Sequence, residues 1–423
     1  MGSFERLRPV DAAWFRMDER SSPADIAAVM RFGGSLTRDR LGAVLEEKLL
    51  VHERFKERVV DSPGRLAPPH WEPEADFTLD AHLTSRTLEG EESFGRFVDE
   101  AMSTPFDFTR SPWRIVVIDG LAGGTVLFVH VHHCMGDGFA LLEILTGLAD
   151  EPAHVARSAP PPAAPRARTM SVGVGAGALA LARVLALSFD PPSPLRGQVS
   201  GARVAAWSRP LSVERIKALA HREGASLNDV VMTALTGAIR SVMLDVSGEA
   251  PPLRAVVPVN LRARGEPVDL AHGNWFGLAF VDLPAGETSR ADRLRALHAA
   301  MQPDKRGPEA WATLAVLALL GRAPIVIDRA IEALFARKAT LVATNVPGPK
   351  ERLTVAGVPL TDLYFWVPHP CGLACGASVL SYAGRLRVGV RSDRAVLPNP
   401  GRVVEAFVEE LEAWNGAPVL LES

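Results

Sequence analysis

The sequence predicts an α/β fold built as two halves. Three observations carry this. The chain has 423 residues, more than one ordinary hydrophobic core serves. Helix-spaced and strand-spaced apolar runs alternate on both sides of a proline-rich segment. Hydrophobic residues make up 47% and charged residues 22%, the balance of a globular chain.

In the first half, apolar spacing predicts helices over Leu41–Val51 and Phe94–Met102. Arg114–Leu121 and Thr125–His132 read as strands joined by the small-residue turn Ala122-Gly123-Gly124. The second strand is apolar on both faces and is therefore expected in the sheet interior. A helix follows, with Phe139, Leu142, Ile144 and Leu145 as its buried stripe.

Ser158–Arg168 reads SAPPPAAPRAR, and clustered proline continues neither a helix nor a central strand. The expected division is residues 1–156, a linker with an apolar helix over 157–200, and residues 201–423.

The second half repeats the alternation. Ser226 followed by Asp229 is a capping-box pattern opening a helix towards Leu244. Arg254–Val259 and Phe276–Leu283 read as strands, and Ser289 with Asp292 marks another helix start. Alanine-rich helices fill Pro308–Arg337, Ser378–Val390 forms a hairpin turning at Ala383-Gly384, and a last helix runs from Arg402 to Trp414. Short-period repeats, the mark of a solenoid, do not stand out.

A net charge of −3 does not point to nucleic acid. The three cysteines, Cys134, Cys371 and Cys375, argue for a reducing compartment rather than a disulfide framework. The start MGSFERLRPV is broken by charge, unlike a signal peptide. Ser171–Phe189 is the most apolar long stretch, interrupted by Arg183, and reads as a surface or interfacial helix. The expected location is cytoplasmic, with peripheral contact on the inner membrane face.

The chemistry concentrates in HVHHCMGDGF, where the interior strand ends and a helix begins. Strand alternation puts His130 and His132 on one face and His133 on the other. Histidine suits general-base work on a hydroxyl because its pKa lies near neutrality. Asp137 is a candidate to fix the loop by pairing with an arginine, and Arg262, just after the Arg254–Val259 strand, is the candidate partner. Gly138 is expected to allow close backbone approach or an unusual backbone angle. A structural histidine pair and a metal site are the competing readings, but no further ligand pattern accompanies the histidines. A Ser-His-Asp hydrolase lacks its G-x-S-x-G elbow.

His132-His133-Cys134-Met135-Gly136-Asp137-Gly138 resembles the H-H-x-x-x-D-G signature of CoA-dependent acyltransferases. The opening Leu7-Arg8-Pro9-Val10-Asp11-Ala12, then Ser111-Pro112-Trp113, Asn228-Asp229, Gly273-Asn274-Trp275-Phe276-Gly277, Asn345-Val346-Pro347-Gly348-Pro349 and Ser381-Tyr382-Ala383-Gly384 follow in order. Together they resemble the bacterial wax ester synthase/diacylglycerol acyltransferase family over nearly the whole chain.

The resemblance implies two chloramphenicol-acetyltransferase-like halves, mixed sheets flanked by helices, and an active-site tunnel between them. It implies acyl transfer from acyl-CoA, a co-substrate rather than a bound cofactor, to a fatty alcohol or diacylglycerol. His133 is then the general base, with His132 and Asp137 holding the loop. Asn274 either contacts the acceptor hydroxyl or the oxyanion, or holds a turn. Trp275, Phe276, Asn345, Pro347 and Gly348 become candidate substrate-binding residues, and Asn228-Asp229 favours a structural role at a helix start. The expected partners are acyl-CoA, a lipid alcohol and a membrane or lipid-droplet surface. A polyketide, glycolipid or small-alcohol acceptor on the same fold, and a non-catalytic lipid-binding protein, are the other readings. Cys375-Gly376 departs from the leucine-asparagine pair the family carries near its late Ser-Tyr strand.

Overall fold

The computed structural model describes residues 5–62, 67–151, 186–262, 273–322 and 336–421, with positions 182, 333 and 334. Most of the expected interfacial helix over 171–189 and most of the 157–200 linker lie outside the described residues.

The strands in chain order are β1 (Asp25–Phe32), β2 (Glu57–Val60), β3 (His70–Pro73), β4 (Leu83–Thr87), β5 (Trp113–Asp119), β6 (Val126–His132), β7 (Arg203–Trp207) and β8 (Leu211–Ser212). They continue with β9 (Leu253–Asn260), β10 (Phe276–Leu283), β11 (Leu341–Pro347), β12 (Thr354–Val355), β13 (Val358–Trp366), β14 (Cys375–Tyr382) and β15 (Arg385–Asp393). Of the two large sheets one runs β12-β13-β1-β6-β5-β4 and the other β10-β9-β11-β14-β15-β7, with β8 paired to β15; β2 and β3 form a small separate sheet. Both large sheets are mixed. β4 runs parallel to β5 in the first, and β9, β11 and β14 are parallel in the second.

The expectation for β6 holds. Every residue from Val126 to His132 is buried, and the strand lies between β1 and β5. The turn before it needs glycine. Gly124 has φ +125°, and a Cβ there would meet the Phe32 carbonyl oxygen at 2.4 Å. Ser226 and Asp229 form the capping box, and Gly248 closes that helix in a left-handed turn at φ 74°. This helix, Leu227–Ser247, is long and apolar enough to cross a membrane, yet 67% of its apolar window is buried inside the protein. None of the three cysteines forms a disulfide.

The division at residue 201 follows chain order but not structure. β12 and β13 return from the second half and complete the first sheet, with Ala27 opposite Trp366. Without β13, β1 would expose a row of unpaired backbone N–H and C=O groups at a sheet edge. The crossing strand therefore ties the halves together. Buried ion pairs add to this tie: Arg391 of β15 donates to Asp25 of β1 at 2.9 and 3.0 Å.

Candidate active site

His133 stands one residue beyond β6, at the start of a single 3₁₀ turn. Its backbone N–H donates to the Ala24 carbonyl at 2.9 Å, which continues the register of β6 on β1. The imidazole stacks on Trp14 of the Pro9–Met17 helix, with ring centroids 3.8 Å apart and planes 9° from parallel. Phe276, the first residue of β10, closes another side at 5.5 Å.

Two cavities meet at this ring. One encloses about 700 Å³, counting its open mouth, and is almost wholly apolar; Trp14, Met17, Leu278, Leu317, Leu320 and Leu373 are among its walls. The other, about 390 Å³, is lined by Ile26, Gly138, Phe139, Thr344, Val346 and Phe365 among others. His133, Pro258, Phe276, Val367 and Pro368 border both. The walls come from both sheets, so the cavities lie between the halves.

Burial pushes the His133 imidazole down to about 4, against the pull of Asp137 and of its own carbonyl. The ring is therefore neutral at pH 7. Nδ1 is enclosed and completes no hydrogen bond, although the Asn274 side chain lies close enough to pull the ring's pKa up; this leaves Nε2 as the nitrogen that can face the cavities. A neutral imidazole with one accessible nitrogen is a proton acceptor.

The surrounding loop is held from both halves. His132 Nδ1 accepts from the Cys134 N–H at 3.1 Å, and its Nε2 lies 3.5 Å from Asp18. Asp137 caps the Gly138–Gly147 helix by accepting from the Ala140 N–H at 2.9 Å. Its Oδ2 accepts from Arg262 Nη1 at 2.6 Å and from the Trp275 N–H at 3.0 Å. Arg262 is thus the partner of Asp137 that the sequence pointed to. His130 faces away from His133, as alternation requires: it meets Asp25 through Nε2, and its Nδ1 accepts from Arg114 Nε at 3.1 Å.

Gly138 corrects its expectation. Its φ is not in the left-handed region, and a Cβ there would meet nothing within 4 Å. Glycine matters here because the missing side chain leaves the cavity open beside the backbone, not because the backbone is strained.

Asn274 is buried and its amide hydrogens are both engaged. Nδ2 donates to Asp11 Oδ1 at 2.7 Å and to the His133 carbonyl at 2.8 Å. It has no free donor for an oxyanion, so of the expected alternatives the oxyanion contact is the one this geometry does not offer. Asp11 and Trp14 are the site residues that reading the sequence for function missed. They lie on the first helix, far from the histidine motif in the chain, and the signal was the Asp11-Ala12-Ala13-Trp14 segment within an already conspicuous opening. Burial raises Asp11 to about 6, even though Asn274 hydrogen-bonds to it twice.

Phe276 lines both cavities as expected, but four other candidates do not. Trp275 points away, edge-on to Trp311 at 6.1 Å, and contributes its backbone N–H to Asp137. On β11 the side chains alternate: Val342, Thr344 and Val346 face the cavities, so Asn345 and Pro347 face the other way. Asn345 donates to Asn228 Oδ1 at 3.1 Å. Gly348 lies against the Ser381 carbonyl, where a Cβ would come within 2.5 Å. These residues shape the strand rather than touch the cavity.

Residues 7–184 match the model of the wax ester synthase/diacylglycerol acyltransferase catalytic domain, and residues 272–415 match that of the WS/DGAT C-terminal domain. A Mycobacterium tuberculosis protein named as a diacylglycerol O-acyltransferase is 27% identical, with 95% of this chain and 94% of that protein covered. The solved wax ester synthase/diacylglycerol acyltransferase from Marinobacter aquaeolei VT8 aligns at a TM-score of 0.70 and 21% identity, covering 97% of this chain and 100% of its own. The starter condensation domain of rhizomide synthetase, solved with C8-CoA, aligns at 0.64 and 12% identity, covering 99% and 95%. At these identities the structural likeness concerns the fold alone. On the two domain models, matched in order along both halves, the chain belongs to the wax ester synthase/diacylglycerol acyltransferase family.

Proposed function

We propose that His133 is the general base of an acyl transfer in which a lipid alcohol attacks the thioester carbonyl of acyl-CoA. The chain is an acyl-CoA-dependent O-acyltransferase of the type that forms wax ester or triacylglycerol. The observation that carries the assignment of the base is the neutral His133 ring standing where two cavities between the halves meet.

In this reading Nε2 takes the hydroxyl proton as the oxygen bonds to the carbonyl carbon. The tetrahedral intermediate collapses with cleavage of the C–S bond, and the same proton passes to the departing thiolate. Alcohol and thioester become ester and free CoA thiol, with no resident cofactor and no covalent enzyme intermediate. Because the Asn274 amide is engaged, the oxyanion needs other donors. The first helical N–H groups after Asp137, those of Gly138 and Phe139, have no intrahelical partner, and both residues line the cavity His133 borders. They are the donors the fold offers, at the positive end of a helix.

The apolar lining of the larger cavity supports a long aliphatic chain, and the C8-CoA held by the rhizomide condensation domain supports acyl-CoA as co-substrate. Because such acceptors dissolve in lipid rather than water, the reading includes peripheral contact with a membrane or lipid-droplet surface on the cytoplasmic side. Sedimentation with liposomes tests that contact, and a wholly soluble protein counts against it.

The test of activity is thiol release from palmitoyl-CoA with hexadecanol, a diacylglycerol or a short alcohol as acceptor. Release that needs a long-chain acceptor and His133 supports the reading. Release equal in the His133→Ala protein removes the base assignment.

A further inference from the structure

We propose that Asp11 is a positioning residue for acyl transfer: it orients the Asn274 amide, which holds the His133 carbonyl and, through it, the ring. The inference rests on the reading of His133 as the base.

The geometry is a chain of contacts spanning the two halves. Asp11 is buried on the first helix. Its Oδ1 accepts from the Asn274 backbone N–H at 2.8 Å and from Asn274 Nδ2 at 2.7 Å. The second hydrogen on Nδ2 goes to the His133 carbonyl at 2.8 Å. An amide has two chemically different ends, and the surrounding acceptors decide which way it faces. Here both acceptors, the Asp11 carboxylate and the His133 carbonyl, demand the nitrogen end. Reversed, the amide would set oxygen against oxygen at both. The observed orientation leaves Asn274 Oδ1 enclosed without a protein partner, a cost of about 1–3 kcal/mol for a buried polar atom. The two contacts made by Nδ2 outweigh it.

Glycine precedes Asn274 for the same reason. Gly273 has φ +59°, and a Cβ there would fall 2.2 Å from Asp11 Oδ2, so a side chain at 273 would push the carboxylate off Asn274. The helix bearing Asp11 also supplies Trp14, one turn on, whose ring stacks on His133. One helix therefore constrains His133 at two points: its ring directly, and its backbone through Asn274. Neither Asp11 nor Asn274 lines the cavities at His133, so their loss acts on the base and not on substrate binding.

The test is steady-state thiol release with palmitoyl-CoA and hexadecanol, each varied, for Asp11→Leu, Asp11→Asn, Asn274→Ser, the Asp11→Leu/Asn274→Ser double variant and His133→Ala. Asp11→Leu and Asn274→Ser are each expected to lower kcat about 10- to 100-fold, the scale of a misplaced catalytic group, with KM for both substrates nearly unchanged. Asp11→Asn keeps an oxygen for the same two bonds and is expected to retain most of kcat. The double variant is expected to be no worse than the poorer single one, because both changes break one chain. Wild-type kcat in folded Asp11→Leu or Asn274→Ser overturns the proposal, as does a loss carried by KM or a multiplicative loss in the double variant. Should Asp11→Leu fail to melt cooperatively, Asp11→Asn and Asn274→Ser decide: equal, deep losses in both overturn it, and a loss confined to Asn274→Ser supports it. If His133→Ala retains activity, the base assignment fails. If His133→Ala is inactive while Asn274→Ser is normal, only the positioning role fails.

Discussion

Arg262 Nη1 lies 2.6 Å from Asp137 Oδ2, and the two side chains come from opposite halves of the protein. Both are buried. Arg262 also donates to the Gly273 carbonyl at 2.9 Å, next to Asn274. The pair therefore links the histidine loop to the segment that supports it.

Removing one partner of a buried pair leaves an uncompensated charge, which costs about 3–5 kcal/mol. Arg262→Ala is accordingly expected to lower the melting temperature by several degrees, and Asp137→Ala to lower it as well through loss of the helix cap. Both proteins should lose activity with stability. Differential scanning calorimetry beside the thiol-release assay checks this, and an unshifted melt in Arg262→Ala would count against the structural role.

His133→Ala should behave differently. General-base catalysis contributes about 10²- to 10⁴-fold, so turnover is expected to fall by that order. The strands and caps that shape the loop do not depend on the imidazole, so the far-ultraviolet circular dichroism spectrum should be unchanged. Loss of the stack on Trp14 should appear as a modest drop in melting temperature.

The pH dependence follows from burial. A base must be unprotonated, and burial holds His133 at about 4 rather than near 6.5. As pH falls, kcat/KM should stay level through pH 6.5 and decline only as pH approaches about 4, provided the protein remains folded. A pH–rate profile with parallel circular dichroism checks it. An acid limb centred near 6.5 would mean that the free enzyme holds His133 in a wetter site.

Gly138→Ala separates stability from chemistry. The backbone angle suits alanine and the added Cβ meets nothing, and alanine is favoured over glycine in a helix by about 1 kcal/mol. The melting temperature is expected to hold or rise slightly. The methyl group would stand over the N–H groups assigned to the oxyanion, where losing a donor costs about 10²-fold or more. A fall of at least about 10-fold in kcat with an intact melt is the expected result; unchanged kcat would remove Gly138 and Phe139 as donors.

Much of this protein was legible in its sequence because the determining interactions are local. The interior character of β6 shows as an unbroken apolar run, the Leu227–Ser247 helix shows its Ser226 and Asp229 cap, and the histidines show their opposite faces by alternation. Even the pairing of Asp137 with Arg262 was accessible, since a charge buried at a strand end needs an opposite one at a facing strand end. Tertiary structure alone decided the rest. That β13 leaves the second half to cover β1 depends on which sheet edge is open after folding, and no local pattern records that. That Val342, Thr344 and Val346, and not Asn345 and Pro347, reach the cavity depends on the register of β11, where a one-residue shift reverses every side chain. That Asp11 and Trp14 belong to the site depends on packing the first helix against residues more than a hundred positions away. Sequence states which side chains are present and how they repeat; which distant ones share the dry space around His133 is settled only when the halves close on each other.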